Sequence, residues 1–419
     1  MPSRFHVSDL AAATIGVATL AAAELWAVRR KESLRTVTVN RRLAAAAFRC
    51  ERWLKAVGWT LPPPWDPIAG DYETADGWIR LHTNYAYHRD AVTRVLDVSA
   101  ERERVAAAVK SRSAAELETG VVNAGGAAAM LRTIDAWRAH PQGAALANEP
   151  LCDRDSECVP HPLPAALSAP LSGVRVLDLT RVIAGPVGTR YLAAFGADVL
   201  RVDPPGFEEV AALLPETTRG KRCAALDLHR PRDRSTWEVL IAKADLLVHG
   251  YRPGAMEALG YSAQRLRELN PRLVVVRYDA YGWSGPWAGR RGFDSLVQMS
   301  TGIAHPGDSG RPKPLPAQAL DHGTGYLIAA AACRGLTEGR TSARLSLART
   351  ARLLVELGTD CDPGAPGLSD IATLLDSSDT TWGPVQAVPC PGSIEGHEVR
   401  WREPAGPLGR HSPHWIERE

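Results

Sequence analysis

The sequence lacks cysteines at the spacings that metal sites or disulfide frameworks need. Its seven cysteines are odd in number and scattered, at positions 50, 152, 158, 223, 333, 361 and 390, with no CxxC motif. A bound metal and a disulfide scaffold are therefore not expected. Cys152 and Cys158 are the one pair close enough in sequence to bridge in an oxidising compartment. The pattern favours a reduced, cytoplasmic protein.

An excess of charge of one sign is also absent. The 419 residues contain 49 basic and 47 acidic side chains, a net charge of +2. This balance gives no electrostatic footprint for a nucleic acid. Two local basic clusters, TRGKR at 218–222 and GRR at 289–291, suit a small molecule that carries phosphate.

A long leucine-rich run is missing as well. The nearest candidate is LAAATIGVATLAAAELWAV at 10–28, which is rich in alanine and contains Glu24. A membrane span needs about 20 strongly apolar residues. Asp9 before this stretch and the basic residues 29–31 after it are typical helix-end residues. We expect a helix packed inside a bundle, with a membrane span or a signal segment as the less favoured alternative.

The first part of the chain reads as a smaller α+β lobe over residues 1–158. Helical patterns cover 1–60 and 90–150, and between them residues 71–84 predict a hairpin that turns at 74–77. A proline-rich stretch at 159–173 predicts a linker after this lobe.

Residues 174–355 show a different pattern of residue types. Short Val/Leu-rich segments such as VRVLDLT, DVLRVD and RLVVVRYD alternate with helical segments. This alternation predicts a Rossmann-like parallel sheet with right-handed crossovers, hence an α/β fold. The final segment, 356–419, has little periodicity and predicts extended pieces and turns.

The loop after the first of these strands, AGPVG, should lie at the carboxyl edge of the sheet, where such folds bind ligands. A dinucleotide enzyme is one reading, because Asp203 ends the second strand where a ribose-binding acid would lie. The glycine pattern argues against it, since Pro186 interrupts the turn between Gly185 and Gly188 and no GxGxxG exists.

A basic triplet, Arg219, Lys221 and Arg222, leads into the segment CAALDL. Such a triplet at a sheet edge is able to form charge-assisted hydrogen bonds to a pyrophosphate. A solvated loop is the plainer alternative.

Three segments in a fixed order resemble the class III CoA-transferases, the CaiB/BaiF-type family, over roughly residues 172–350. They are VRVLDLTRVIAGPVGTRYLAAFGADVLRVDPPG, TRGKRCAALDL, and ADLLVHGYRPGAMEALGYSAQRLRELNPRLVVVRYDAYGWSGPWAGRRGFD. The resemblance implies a CoA-binding α/β domain, an interlocked homodimer, and acyl-CoA and a carboxylic acid as substrates. It implies no tightly bound cofactor.

The resemblance also implies site residues. In the family an aspartate before a helix of small residues carries the acyl group, and QALDHGTGYLIAAA places Asp321 there. The implied CoA contacts are Val182, Ile183, Ala184, Lys221 and Arg291, with Arg219 and Arg222 beside Lys221.

Asp321 is also a residue type that caps helices, and capping alone is the alternative role. A carboxylate at a helix start is favoured in its ionised form by the helix dipole. We expect an ionised nucleophile, with the backbone amides of Gly323, Thr324 and Gly325 stabilising the oxyanions. His322 is expected to be a surface or capping residue.

The chain departs from the family pattern in its order of segments. Residues 1–150 resemble the family's small domain placed in front, and AGPLGRH near the end resembles its terminal motif, an order that indicates either a permutation or a fused, truncated duplicate. Two alternatives to CoA transfer stay open. Racemase-type members carry a histidine where this chain has Phe293, which disfavours racemisation, and a non-catalytic CoA-binding paralogue, alone or in a hetero-oligomer, is the other reading.

Overall fold

The computed structural model describes residues 1–155, 158–161, 163, 165, 168–307 and 310–417. Residues 162, 164, 166 and 167 of the predicted linker lie outside this described part. The division into lobe, linker, sheet domain and tail therefore stays a prediction.

The helices vary from single turns to a twenty-four-residue helix at the start of the chain. In chain order they are α1 (Val7–Arg30), α2 (Arg41–Ala47), α3 (Cys50–Trp53), α4 (Ala86–Leu96), α5 (Arg102–Lys110), α6 (Ala114–Asn123), α7 (Ile134–Ala139), α8 (Pro141–Leu146), α9 (Ala184–Ala194), α10 (Leu214–Thr217), α11 (Pro231–Lys243), α12 (Ala255–Ala258), α13 (Ala263–Leu269), α14 (Asp294–Ser300), α15 (Ala319–Glu338) and α16 (Leu347–Glu356).

The strands are short and are spread along the whole chain. In chain order they are β1 (Val37–Val39), β2 (Lys55–Ala56), β3 (Gly70–Glu73), β4 (Trp78–Leu81), β5 (Ala128–Met130), β6 (Asp153–Arg154), β7 (Arg175–Leu179), β8 (Asp198–Asp203), β9 (Lys221–Ala225), β10 (Leu246–His249), β11 (Val274–Asp279), β12 (Ser342–Ser346), β13 (Asp376–Thr380), β14 (Gly383–Ala387) and β15 (Gly392–Ile394).

A seven-stranded sheet with the order β6-β12-β11-β10-β7-β8-β9 organises the molecule. Strands β7 to β12 are parallel to their neighbours, and only β6 runs antiparallel at one edge. The Val/Leu-rich runs form these strands because both faces of a parallel sheet are buried. The prediction of a Rossmann-like α/β fold is confirmed.

Helix α15 lies in the largest core and packs against both α1 and α9. Small side chains allow this close approach. A Cβ atom on Gly188 of α9 would lie 2.7 Å from the carbonyl oxygen of Gly325 on α15. A Cβ on Gly325 would lie 2.5 Å from the carbonyl oxygen of Ala184. These glycines let the backbones of the two helices touch.

By length and composition, α1 is long and apolar enough to cross a membrane. In the structure 56% of its most apolar window is buried inside the protein, and Leu10, Ile15 and Leu25 are almost fully covered. Many of its residues are alanines, whose small side chains let α1 pack closely against α15. The packing agrees with the prediction of a core helix in a bundle.

A second, smaller core lies within residues 68–128. Strands β3, β4 and β5 form an antiparallel sheet, and α4, α5 and α6 pack on it. The predicted hairpin is confirmed as β3 and β4 with the turn at 74–77, whereas β5, with the sequence AAM, gave no strand signal.

The predicted lobe 1–158 contributes to more than one core, because α1 belongs to the core of the large sheet. The tail also joins the first segment: β15 pairs with β1, and β14 pairs with β2. These pairings confirm the expected extended segments of the tail. They also connect residues 37–56 with residues 383–394, which lie near the other end of the sequence.

Replacing Gly188 with alanine tests the contact between α9 and α15. The added methyl group meets the Gly325 carbonyl oxygen and the Ile328 side chain, so the helices must separate. We expect the free energy of unfolding to fall by about 1–3 kcal/mol, the usual cost of overpacking a core. Urea denaturation followed by circular dichroism measures the change. Gly367→Ala, at a glycine whose Cβ would meet nothing within 4 Å, is the control; equal stability of the two variants would contradict the packing account.

Candidate active site

A cavity of about 350 Å³ opens at the carboxyl ends of the central parallel strands. Its walls come from the loops after β7, β10 and β11, the edge at which open α/β sheets bind ligands. The lining residues are Tyr85, Tyr87, His88, Arg181, Val182, Ile183, Ala184, Gly250, Tyr251, Arg252, Pro253, Ala255, Tyr278, Asp279, Ala280, Gly289, Arg290, Arg291, Gly292, Phe293, Asp321 and Leu347. The cavity therefore brings together five residues singled out in the sequence: Val182, Ile183, Ala184, Arg291 and Asp321.

Asp321 lies in the first turn of α15 and is only 7% exposed. It does not cap the helix, because α15 begins two residues earlier and Gln318 precedes it. The cap is supplied by Asp294, whose Oδ2 accepts the backbone N–H groups of Leu320 and Asp321 at 2.8 and 2.9 Å. A carboxylate from another helix thus occupies the position expected of Asp321.

The ionisation of Asp321 differs from the expectation. Burial raises the pKa of Asp321 well above its usual value, and the nearby carboxylates of Asp294 and Glu51 raise it further. The pKa of Asp294 is raised to about 6, mainly by burial. The helix dipole does not outweigh these effects, because desolvation and like charges both favour the neutral acid. Asp321 is therefore favoured in its protonated form.

His322 is fully buried, which corrects the expected surface or capping role. Its Nε2 lies 3.0 Å from Oε2 of Glu51 on α3, and its ring stacks on Phe48 with centroids 5.4 Å apart. These contacts join the early helical segment to the start of α15. The pairing was not visible in the sequence, since the two residues are 271 positions apart.

Cys50, Glu51 and His322 form a group whose ligand atoms lie within 4.8 Å of one another. The surroundings do not suit a cation. Nη2 of Arg190 lies 3.6 Å from Sγ of Cys50, and burial raises the pKa of this thiol, which disfavours the thiolate that binds metal. The group is better described as a buried histidine–glutamate hydrogen bond beside a thiol.

Val182 adopts a left-handed backbone conformation with φ of 63°, which is strained for a β-branched residue. Its N–H donates to Oε2 of Glu209 at 3.1 Å. Glu209 in turn accepts hydrogen bonds from Arg201 at 3.0 Å and from the hydroxyl of Tyr85 at 3.0 Å. This buried hydrogen-bond network holds Val182 in its strained conformation. Backbone strain of this kind is concentrated at functional sites.

The cavity carries a positive lining, with Arg181, Arg252, Arg290 and Arg291 on its walls. Arg291 donates to the carbonyl oxygen of Gly125 at 2.9 Å, which orients its guanidinium from the smaller core. Arg252 is exposed at the rim. Planar guanidinium groups are suited to phosphate oxygens, so the lining supports a polyphosphate ligand.

The basic triplet lies away from this cavity. Lys221 is fully buried with Nζ 2.8 Å from Oδ2 of Asp178, Arg219 donates to the carbonyl oxygen of Val388 at 3.2 Å, and Arg222 donates to Asp198 at 3.3 Å. The reason is their position at the amino end of β9, whereas the cavity lies at the carboxyl ends. None of the three residues lines the cavity, so the structure does not support the CoA contacts expected of them.

The expected oxyanion amides are also not available. Gly323, Thr324 and Gly325 lie inside α15, past its first turn, where each N–H group is used by the helix itself. Gly325 serves the contact with α9 described above. Gly323 packs against α16 and α1, since a Cβ there would meet Thr350 at 3.1 Å and Leu10 at 3.4 Å.

Two further titratable groups line the cavity that sequence reasoning did not select. His88 is 1% exposed, neither ring nitrogen has a hydrogen-bond partner among the described residues, and burial lowers its pKa to about 4. Its ring lies 5.7 Å from that of Phe293, centroid to centroid. Burial raises the pKa of Asp279 to about 7, and its Oδ1 accepts the N–H of Gly282 at 2.8 Å. Asp279 could have been suspected, as it ends a predicted parallel strand.

Comparisons with known proteins identify the central part of the chain. Residues 171–348 match the model of CoA-transferase family III. The chain is 35% identical over 184 residues to a probable fatty acyl-CoA transferase, Rv3272, of Mycobacterium tuberculosis, a match that covers 40% of this chain and 46% of the relative. It is 33% identical over 151 residues to an acetyl-CoA:oxalate CoA-transferase of Acetobacter aceti, covering 33% of this chain and 39% of the relative.

The chain also aligns in part with solved structures. The crystal structure of Rv3272 aligns with a TM-score of 0.41 and 31% identity over 45% of this chain and 60% of that chain. A CAIB/BAIF family protein from Brucella suis aligns with a TM-score of 0.40 and 22% identity over 52% of this chain and 65% of that one. The chain spans less than half the length of the curated relatives named above. Residues 171–348 are therefore the part of the chain that is similar to CoA-transferase family III.

Proposed function

We propose that the chain transfers CoA from an acyl-CoA thioester to a carboxylic acid, with Asp321 as the nucleophile. The observation that carries the proposal is the position of the Asp321 carboxyl group in one cavity with the strained loop 182–184 and four arginines. The family of residues 171–348 supports the reaction class, and the relatives' names suggest acetyl-CoA and oxalate as first probes.

The covalent route proceeds in balanced steps. A carboxylate oxygen of Asp321 attacks the thioester carbon, the C–S bond breaks, and a mixed anhydride and CoA thiolate form. The thiolate then attacks the Asp321 carbonyl carbon and releases the donor acid, leaving an aspartyl-CoA thioester. The acceptor carboxylate attacks this thioester and expels the thiolate, which finally attacks the acceptor carbonyl. The products are a new acyl-CoA and free Asp321, with no net redox change.

The cavity residues suit parts of this cycle. The arginines on the walls would hold the phosphates of CoA, and Asp294 would fix the backbone of Asp321 while controlling its charge. Approach of a cationic or hydrogen-bond-donating group to Asp321 would favour its ionised form. The proposed oligomer is the homodimer implied by the family resemblance, and the proposed location remains the cytoplasm.

Racemisation at the acyl α-carbon is the competing function within the family resemblance. Phe293 cannot accept a proton, but the neutral imidazole of His88 lines the same cavity and is able to. Exchange of the α-hydrogen of an acyl-CoA with deuterated water, without capture of the acyl group, would favour that reaction. Binding of CoA with neither outcome would indicate a non-catalytic paralogue.

Trapping with hydroxylamine tests the nucleophile. Incubation with acetyl-CoA and hydroxylamine should convert Asp321 to its hydroxamate, because hydroxylamine attacks the activated aspartyl carbonyl. Peptide mass spectrometry locates the modification. Asp321→Asn should lose both the modification and CoA transfer to oxalate, by at least about a hundredfold in rate, as expected when a nucleophile is removed. The exposed Asp90→Asn serves as control, and a hydroxamate that persists in Asp321→Asn would refute the assignment.

The carboxylate pair predicts a particular pH dependence. Because Asp321 must be ionised to attack and its pKa is raised, the rate of anhydride formation should increase as pH rises through that pKa. Asp294→Asn removes a like charge but keeps an oxygen that accepts the helix N–H groups. The pKa of Asp321 should then fall, and the rise in rate should move to lower pH.

Single-turnover release of CoA thiolate, measured between about pH 5 and pH 9, provides the profile. Asn84→Asp, which adds a carboxylate outside the residues that line the cavity, is a control for general charge effects. A profile that stays in place in Asp294→Asn would mean that the pair does not set the ionisation of Asp321.

A further inference from the structure

A second cavity of about 350 Å³ lies on the face of the large sheet opposite α15. Successive side chains of a strand point to opposite faces of the sheet, so the residues that line each cavity or core show on which face it lies. Val274 and Val276 of β11 point into the core that contains α15, whereas Val275 packs with the other core and lines the second cavity, as does Arg277. Helices α11 and α13 bury Leu177, Leu200 and Leu247 on this face, but no described helix fully covers its β11–β12 part.

Two arginines and a histidine lie side by side across this open part of the sheet, and burial lowers the pKa of the histidine, His249, to about 3, so only the two arginines are charged. His249 on β10 is in register with Arg277 on β11, and Arg277 is in register with Arg344 on β12. All three line the cavity. Like charges opposite one another on neighbouring strands destabilise a sheet, so an anion near Arg277 and Arg344 would be stabilising.

The protein itself provides only part of this compensation. Arg344 forms an ion pair with Asp153. The side chain of Arg277 has no hydrogen bond or ion pair within the described part of the chain, and burial together with Arg344 lowers its pKa although Glu257 and Asp153 oppose the shift. Nδ1 of His249, a side chain that is 5% exposed, also has no partner among the residues described.

The same cavity presents an aromatic wall and an apolar floor. The guanidinium carbons of Arg277 and Arg344 lie 5.4 and 5.6 Å from the ring centroid of Trp283. Met256 and Leu266, both buried, line the inner side. A guanidinium pair next to an indole ring recognises an oxyanion joined to a flat or apolar group.

We propose that this cavity binds a small organic oxyanion, a carboxylate or a phosphate that carries an aromatic or apolar body. The oxyanion lies at Arg277 and Arg344, and the body packs on Trp283, Met256 and Leu266. The cavity shares only Tyr251, Arg252 and Pro253 with the active-site cavity and does not include Asp321. It is therefore a site separate from the one in the proposed function, and it does not depend on that function.

Isothermal titration calorimetry on the full chain tests the proposal with two probes, phenyl phosphate and phenylacetate, and with benzyl alcohol as the uncharged analogue. We expect at least one acid to bind and benzyl alcohol not to bind. Arg277→Gln should weaken that binding at least about tenfold, the loss of one charge-assisted hydrogen bond. Arg277→Lys, which keeps the charge but not the planar fork, should weaken it less and covers the case in which Arg277→Gln does not fold.

Two variants separate this cavity from its surroundings. The exposed Arg232→Gln, outside both cavities, and Asp321→Asn, in the active-site cavity, should both bind the probe as the unmodified chain does. Binding of phenyl phosphate alone or of phenylacetate alone identifies the preferred oxyanion. No binding of either acid, equal affinity in Arg277→Gln, or displacement of the probe by CoA would overturn the proposal.

Discussion

The start of α15 depends on one interaction, the acceptance of two backbone N–H groups by the buried carboxylate of Asp294. The bonds hold the first turn of the helix and place Asp321 at the cavity wall. They also put two carboxyl groups into one desolvated space, which raises the pKa of both. The carboxylate of Asp294 thus both positions the proposed nucleophile and adds to the rise of its pKa.

The surrounding packing maintains this arrangement. Glycines at the contact of α9 and α15 bring the loop 182–184 close to Asp321, and the Glu209 network keeps Val182 in its strained conformation. The hydrogen bond between Glu51 and His322 joins α3 to the same turn. Elements that are remote in sequence, from the first fifty residues to the last helices, therefore meet at one cavity.

Much of the fold could be predicted, because parallel strands that are buried on both faces leave unbroken Val/Leu runs between helical segments. The hairpin at 70–81 could also be predicted, from the residues of its turn. Only part of the site could be predicted from the sequence. Asp321 and the loop 182–184 follow strand and helix boundaries, whereas the cap at Asp294, the buried His322 and the pairing of Lys221 with Asp178 depend on tertiary contacts that no local pattern encodes. Charge in the sequence suggested a phosphate site at 219–222, but strand direction places that segment at the opposite edge of the sheet.

The central claim is that a covalent bond to Asp321 forms during transfer. Turnover of acetyl-CoA with oxalate labelled with oxygen-18, followed by peptide mass spectrometry, tests it directly, because the acceptor's oxygen becomes the bridging oxygen of the second anhydride and stays on the aspartate. The account predicts oxygen-18 in the peptide that contains Asp321. Formation of oxalyl-CoA with no label in that peptide would contradict it.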